Sequence, residues 1–309
     1  MRTPLLRWPH ERDREIYLKL ESTQPMGAFK IRGAYNRISR LTDAEKRRGV
    51  ITFSSGNHAQ AVAYAAREVG AQAVIIMPDN APKVKVDGTR ALGGEVVFVG
   101  PASSERQAKA EELVAKHDYV VIPPYDDPHI IAGQGTCGLE IVEDLPDAEV
   151  VLAPVSGGGL LSGVATAVKL SRPDVKVIGV EPELAADTTE SFRKGEIVEW
   201  PAERTSRTIC DGLRTQSVGK LPFEHIRKYV DDIVNVSEDE VREAMRQLVL
   251  RGRVVAEPSG AASFAALLFH SQQLPRAKRY VAIISGGNTE PAFLADVIAA
   301  HPGSAPAAV

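Results

Sequence analysis

Short apolar runs alternate along this chain with longer segments in which apolar positions recur at helical spacing. The runs have the length of buried strands, and we predict strands at residues 50–53, 73–77, 94–99, 119–122, 150–155, 175–180 and 280–284. The helical spacing predicts helices at residues 58–69, 82–92, 104–116, 128–144, 160–170, 238–251 and 261–271. This alternation predicts an α/β fold of parallel sheets with helices on both faces.

Three of the predicted strands end in short loops of small polar residues. The loops read SSGNH at 54–58, SGGGL at 156–160 and SGGN at 285–288. Because ligands of parallel sheets bind beyond the carboxyl ends of the strands, three such loops in one chain predict one shared site. Any one of them alone is more often a glycine turn or a helix cap.

The composition is that of an ordinary globular protein. Of the 309 residues, 44% are hydrophobic and 25% are charged, and the formal net charge is −3. No basic block stands out, so we predict no nucleic-acid partner. Every apolar run is too short to cross a membrane, so we predict a soluble protein with no membrane partner. Two cysteines make no disulfide framework and the polar start of the chain is not a signal peptide, which favours the cytoplasm.

The loop at 156–160, here called the glycine loop, follows a predicted buried strand and opens a predicted helix. Without Cβ atoms, its backbone N–H groups can converge on an anion, and the start of a helix favours negative charge. The loop is neither a GxGxxG dinucleotide motif nor a Walker motif. It therefore predicts an anion cradle without identifying the anion.

A lysine at position 30 lies between small and apolar neighbours in the segment GAFKIRGA at 27–34. Burial lowers the proton affinity of a lysine from a pKa of about 10.4 towards neutrality and makes it a nucleophilic amine. The alternative is an ordinary solvated lysine. The SSGNH turn is either a carboxylate-binding site or an ordinary helix cap. The free N–H groups at the start of a helix can bind a carboxylate, and Ser or Asn can cap them instead.

Taken together and in this order, GAFKIRGA, SSGNH, SGGGL and SGGN resemble the fold-type II pyridoxal-phosphate (PLP) enzymes, of the threonine/serine dehydratase and serine racemase branch. The resemblance covers nearly the whole chain. It implies a two-domain fold like that of the tryptophan synthase β chain. Residues 1–40 and 128–309 would form the large PLP-binding domain, with 41–127 inserted as a small domain.

The resemblance also implies how the cofactor is held. Lys30 forms a Schiff base with PLP, and Phe29 packs beside the ring. Asn57 contacts the ring hydroxyl, Ser285 faces the pyridine nitrogen, and Glu257 lies near the cofactor. The phosphate is held by the backbone of the glycine loop: Ser156, Gly157, Gly158, Gly159 and Leu160.

The same resemblance implies the chemistry. The free amine of Lys30 takes the α-proton of an amino-acid substrate, whose carboxylate is received by the turn Ser54, Ser55, Asn57 and His58. In the racemase branch, the serine corresponding to Ser55 is a base on the opposite ring face. The neutral partner Ser285 favours loss of a β-leaving group over transamination.

An acidic stretch after the strand at 175–180 resembles the Mg²⁺ or Ca²⁺ site of racemase-like members. Its ligands would be Glu181, Asp187 and the carbonyl of Ala185, since hard cations take oxygen ligands. A solvated acidic turn is the alternative. Arg214 would lie near the mouth of the active site or form a structural salt bridge.

The resemblance predicts β-elimination from L-threonine or L-serine to give a 2-oxo acid and ammonia, in a homodimer. Tyr125 favours this activity, since it stands where dehydratases tend to carry an aromatic residue and racemases Asn. One alternative is serine racemase. Another is a 3-hydroxyaspartate dehydratase, in which Arg32 or Arg214 would bind a second carboxylate. A third is a non-catalytic ligand-binding or regulatory protein on the same fold.

Overall fold

Two sheets organise the chain, and the computed structural model describes residues 1–9, 13–54, 56–81, 83–100 and 103–300. Their strands are β1 (Leu5–Trp8), β2 (Glu15–Leu20), β3 (Val50–Phe53), β4 (Ala73–Pro78), β5 (Gly94–Val99), β6 (Val120–Val121), β7 (Val150–Pro154), β8 (Lys176–Pro182), β9 (Asp232–Val236) and β10 (Arg279–Ile284). The helices are α1 (Lys30–Ile38), α2 (Asp43–Arg48), α3 (Asn57–Glu68), α4 (Lys83–Ala91), α5 (Ser103–His117), α6 (Pro128–Asp144), α7 (Gly159–Ser171), α8 (Asp187–Lys194), α9 (Ala202–Thr205), α10 (Lys220–Tyr229), α11 (Glu238–Gln247), α12 (Pro258–Phe269) and α13 (Pro291–Ala299).

The larger sheet has six strands in the order β1-β2-β10-β7-β8-β9. All neighbours are parallel except the edge pair β1 and β2, which is antiparallel. Alternate residues of β7 point to opposite faces, so that Leu152 joins a core with α11 and α12, and Val151 joins a core with α6, α7 and α10. Both faces are therefore covered by helices, as the apolar runs predict.

The smaller sheet has four parallel strands in the order β5-β4-β3-β6. Residues of α1 and α3 pack on one face with Ile75, while Ile76 lies in a core with α5 on the other face. Every residue of β4 is buried, which explains its uninterrupted apolar sequence. The four strands lie within the predicted small domain 41–127, although α1 shares their core. The division at residues 40 and 128 stays a prediction.

Local sequence signals set several helix boundaries near the site. Asp127 caps α6 by accepting hydrogen bonds from the N–H groups of His129 and Ile130, and Pro128 occupies the first helical position. Ser237 and Glu240 form a capping box at the start of α11. The helix predicted over 238–251 ends at Gln247 and continues as a π-helical turn, Leu248–Gly252. None of the helices in the described ranges combines the length and apolar character that a membrane span needs.

Candidate active site

A cavity of about 1100 Å³ lies where the carboxyl ends of strands from both sheets meet. Its wall contains residues that end or follow β3, β4, β7 and β10. The structure thus brings together most of the residues that the sequence predicts for the site: Phe29, Lys30, Ser54, Asn57, His58, Ser156, Gly157, Gly158, Gly159, Leu160, Glu257 and Ser285. The predicted residue Ser55 lies outside the described residues.

Lys30 is the first residue of α1, and it lines the cavity. Its Nζ donates a hydrogen bond to the carbonyl oxygen of Pro124 at 2.8 Å and lies 5.2 Å from the centre of the Phe29 ring. Desolvation lowers the pKa of the Lys30 amine to about 8. Roughly a tenth of the amine is therefore uncharged and nucleophilic at pH 7, far more than for an ordinary lysine.

The turn at 285–288, here called the SGGN turn, holds the segment that carries Lys30. Ala28 and Gly286 form an antiparallel bridge, and the N–H of Phe29 donates to the carbonyl of Ser285 at 3.0 Å. Gly27 has a φ of +78°, and a Cβ there would lie 2.3 Å from Oδ1 of Asn288. This position requires glycine for both reasons.

The glycine loop leads into α7 through Gly158, which has a φ of +90°. The Tyr125 ring packs against the loop so closely that a Cβ at Gly157 would lie 2.3 Å from its Cδ1. Ser156 is buried, and its Oγ lies 2.6 Å from Oγ1 of Thr215. The loop is thus a shaped concavity at the start of a long helix, which suits an anion. The contacts of Tyr125 and Thr215 with it have no signal in the sequence.

The first two residues of α3 have defined orientations. His58 is buried, and its Nε2 lies 3.0 Å from the carbonyl oxygen of Ile122, so Nε2 carries the hydrogen. Desolvation and the nearby Lys30 charge lower the pKa of His58 to about 3, which keeps the ring neutral. The Asn57 amide donates from Nδ2 to Oε1 of Glu257 at 2.6 Å and accepts at Oδ1 from Nδ2 of Asn288 at 2.8 Å.

Glu257 and Ser285 are both buried in the cavity wall. Burial raises the pKa of the Glu257 carboxyl to about 8, and the negative charge of Asp211 adds to this effect. The hydroxyl of Ser285 lies 3.5 Å from the carbonyl oxygen of Ser259, at the limit of a hydrogen bond, so it retains donor and acceptor capacity for a ligand.

The predicted cation ligands lie behind the glycine loop and do not line the cavity. Glu181 accepts hydrogen bonds from the N–H groups of Thr188 and Thr189, whereas the buried carboxylate oxygens of Asp187 have no partner among the described residues. Burial raises the pKa of both carboxyls, to about 7 for Asp187. The described residues contain no group of three or more His, Cys, Asp or Glu side chains arranged for a metal. Thr188 also donates to the carbonyl of Ser156 at 2.9 Å, which links this acidic pair to the glycine loop.

Arg32, one of two candidates for binding a second substrate carboxylate, does not line the cavity. Its side chain is 5% exposed, is absent from the cavity wall and forms ion pairs with Glu21 and Glu140. Arg214 does line the cavity, and its Nε donates to the carbonyl oxygen of Thr208 at 3.0 Å. Arg214 is thus anchored to backbone near the site, and it forms no salt bridge, one of its predicted roles, with the residues that the structure describes.

Comparison with known proteins shows the family to which the chain belongs. The family model described as "Pyridoxal-phosphate dependent enzyme" matches residues 1–286. The chain is 47% identical to the catabolic L-threonine dehydratase TdcB of Escherichia coli (strain K12), over 89% of this chain and 83% of that protein. It is 42% identical to L-threo-3-hydroxyaspartate ammonia-lyase of Saccharomyces cerevisiae, over 94% and 88% of the two chains. The structure of maize serine racemase superposes with a TM-score of 0.92 at 35% identity, covering 96% of this chain and 91% of that one.

Proposed function

Since the chain belongs to the family of pyridoxal-phosphate-dependent enzymes, we propose that it deaminates L-threonine or L-serine to the 2-oxo acid and ammonia. The observation that carries this proposal is the amine of Lys30, desolvated in the wall of a cavity that also contains the glycine loop. The relative named as a threonine dehydratase supports the choice of substrate.

The residues of the cavity fit PLP group by group. The glycine loop, which a Cβ at Gly157 would fill, suits the phosphate at the start of α7. Ser285 offers a neutral hydroxyl to the pyridine nitrogen, and Asn57 offers an amide N–H to the ring hydroxyl. Phe29 is beside Lys30, where it would pack against the ring. When bound, PLP supplies the electron-withdrawing system that stabilises negative charge at the substrate α-carbon.

The chain itself supplies binding and proton transfer. Once its amine is free, Lys30 accepts the α-proton, a role for which a pKa of about 8 is well matched to neutral conditions. The turn at 54–58 receives the substrate carboxylate, because the first N–H groups of α3 lack partners within the helix. His58 takes part through its backbone N–H, since its Nε2–H is used by Ile122. Ser55 remains a predicted base on the opposite face of the cofactor.

A divalent cation, Mg²⁺ or Ca²⁺, is proposed at Glu181, Asp187 and the carbonyl of Ala185. The support is the pair of buried Asp187 oxygens that lack hydrogen-bond partners beside a second carboxylate. A cation would neutralise this pair and stabilise α8, whose first residue is Asp187. It takes no part in proton transfer, because the acidic pair lies outside the cavity wall.

Serine racemisation is the second candidate, and the fold shared with maize serine racemase favours its inclusion. A 3-hydroxyaspartate activity has weaker support, because Arg32 is already bound by two carboxylates and Arg214, the other candidate, donates to the carbonyl of Thr208. The identity of Tyr125, whose ring packs on the glycine loop, supports the dehydratase, because dehydratases tend to carry an aromatic residue at this position.

The test is an assay of 2-oxo acid release from L-threonine, L-serine and 3-hydroxyaspartate, with chiral analysis of the amino acid that remains. We expect rapid 2-oxo acid release from L-threonine or L-serine. Predominant formation of D-serine from L-serine would replace the dehydratase with the racemase. Borohydride reduction followed by peptide mapping should label Lys30, and a Lys30→Ala variant should be unlabelled and inactive. Lack of PLP binding would favour a non-catalytic protein on this fold.

A homodimer in the cytoplasm completes the proposal. The two cysteines, Cys137 and Cys210, are buried free thiols, which suits a reducing compartment. Tyr35 on α1 and Leu139 on α6 are exposed apolar residues on helices that pack together, and they offer surface for a second copy of the chain. Light scattering of the purified protein would test the oligomeric state.

A further inference from the structure

The side chain of Asn288 joins two segments that carry proposed cofactor contacts. Its Nδ2 donates to the main-chain carbonyl of Met26 at 2.9 Å and to Oδ1 of Asn57 at 2.8 Å. Met26 precedes the Lys30 segment, and Asn57 is the first residue of α3. Asn288 in the SGGN turn therefore ties the Lys30 segment to the turn at 54–58.

These contacts determine which way the Asn57 amide faces. A main-chain carbonyl only accepts, so the Met26 contact requires the NH₂ group of Asn288 at this position. That NH₂ group in turn requires the oxygen of Asn57 to face it, which leaves Nδ2 of Asn57 to face Glu257. A flipped Asn57 amide would set its NH₂ group against the NH₂ group of Asn288.

One N–H of Asn57 remains for the cavity. Nδ2 carries two hydrogens, and one is donated to Oε1 of Glu257 at 2.6 Å. Within the described ranges the second N–H has no hydrogen-bond partner, and Asn57 lines the cavity. A fixed amide thus offers a single donor to whatever occupies the site.

Gly27 makes this arrangement sterically possible. A Cβ at Gly27 would lie 2.3 Å from Oδ1 and 2.9 Å from Cγ of Asn288, so any other residue would displace the amide. The carbonyl of Gly27 also accepts from the N–H of Gly287 at 2.9 Å, which fixes the SGGN turn beside it. Gly27 therefore leaves room for the Asn288 side chain and also holds the backbone of the SGGN turn next to it.

Resting on the proposed function, in which Asn57 contacts the ring hydroxyl of PLP, we propose that Asn288 is a positioning residue for that contact. Through the chain Met26–Asn288–Asn57, it holds the Asn57 amide in the orientation that directs a donor at the ring oxygen. Asn288 does not itself touch the cofactor in this arrangement. A donor directed at the ring hydroxyl of PLP would stabilise its anionic form, so losing that donor would raise the pH at which the bound cofactor titrates.

The sharpest test is Asn288→Asp, which keeps the size of the side chain but replaces the donor with an acceptor. Repulsion from the Met26 carbonyl and the Asn57 oxygen should flip or displace the Asn57 amide. We expect the dissociation constant for PLP to rise about tenfold, as the loss of part of a charge-assisted hydrogen bond implies. The pH midpoint of the visible absorption of bound PLP should move to higher pH. Asn57→Ala should produce the same two changes.

The double variant distinguishes positioning from a merely structural role. If Asn288 acts through Asn57, adding Asn288→Asp to Asn57→Ala should change the PLP dissociation constant and the pH midpoint no further. Asn36→Asp is a matched control, because Asn36 likewise donates from Nδ2 to a main-chain carbonyl, that of His129, and does not line the cavity. It should leave both quantities unchanged.

Three outcomes would overturn the inference. A purely structural Asn288 would lower the thermal midpoint of the apoprotein but leave the pH midpoint of the absorption unchanged. Wild-type behaviour of both Asn57→Ala and Asn288→Asp would remove the assigned role of Asn57 along with the inference. Failure of the unaltered chain to bind PLP at all would overturn the proposed function itself and this inference with it.

Discussion

Lys85 of α4 and Asp211 form an ion pair in the wall of the cavity, and this pair links the part of the chain that contains the smaller sheet to the part that contains the larger one. Their side chains are 22% and 38% exposed. At this exposure such a pair contributes at most about 1 kcal/mol to global stability. Its main effect is therefore local, on how readily the two walls separate.

Asp211→Asn should loosen α4 without unfolding the protein. We expect faster amide hydrogen exchange across residues 83–91 and a thermal midpoint lowered by no more than about 4 °C. Asp118→Asn is the matched control, since the exposed pair Arg48–Asp118 lies outside the cavity wall. Equal exchange rates at 83–91 in both variants would show that the cavity pair does not restrain the helix.

The rate at which PLP is captured should report the pKa of Lys30. Only the neutral amine attacks an aldehyde, so the pseudo-first-order rate for reconstituting apoprotein should rise with pH and level off above about 8. The unfolded chain keeps the ordinary lysine pKa and binds more protons than the folded chain between about 8 and 10.5. The stability of the apoprotein should accordingly gain from this group as pH rises through that window. A capture rate that keeps rising up to pH 10 would contradict a desolvated Lys30.

Millimolar Mg²⁺ or Ca²⁺ should raise the thermal midpoint of the protein, and a chelator should lower it. Binding to the folded state alone contributes about 2.7 kcal/mol when the cation is at one hundred times its dissociation constant. Asp187→Asn should abolish the response, because it removes the unpartnered carboxylate. Glu183→Gln in the same stretch should keep it, since Glu183 is exposed. A response that persists in Asp187→Asn would exclude this site.

Gly157→Ala should destabilise the protein by about 1–3 kcal/mol, as overpacking does, because the new Cβ would lie 2.3 Å from Cδ1 of Tyr125. Chemical denaturation of the apoprotein measures this, and titration with PLP should also show weaker binding. Adding Tyr125→Ala should restore part of the loss by removing the clash. Gly88→Ala serves as the control, since its Cβ would meet nothing nearer than 3.4 Å. Unchanged stability of Gly157→Ala would contradict this prediction and show that the Tyr125 ring can move away from the new Cβ at no cost.

The parallel sheets could be predicted because strands buried on both faces are uninterrupted apolar runs in the sequence. The strand predicted at 73–77 is observed as β4 at Ala73–Pro78, where both faces are covered and every side chain is apolar. The prediction missed β2, whose sequence includes Lys19. This lysine is fully buried and pairs with Glu140 on α6. A local sequence pattern cannot show that a charged residue has a partner far away in the chain. Lys19 therefore interrupts the apolar pattern of β2, and the strand was not predicted.

In the candidate site too, sequence motifs predicted which residues take part but not how their side chains contact one another. The short loops predicted which residues would meet, because parallel strands bring their carboxyl ends to one edge. They could not predict that Arg32 is neutralised by Glu21 and Glu140, or that Asn288 orients Asn57. Those contacts join residues far apart in the chain, and each depends on the packed geometry of several elements.

The position of β10 in the larger sheet has a consequence for biosynthesis. β10 lies between β2 and β7, and the pair β1–β2 joins the sheet only through it among the described strands. A ribosome delivers β10 and the SGGN turn after the other described strands of both sheets, so Lys30 and Asn57 lack their contacts with that turn until then. The nascent chain cannot complete its cofactor pocket before β10 has been synthesised, and we expect cofactor loading to follow the insertion of that strand between β2 and β7.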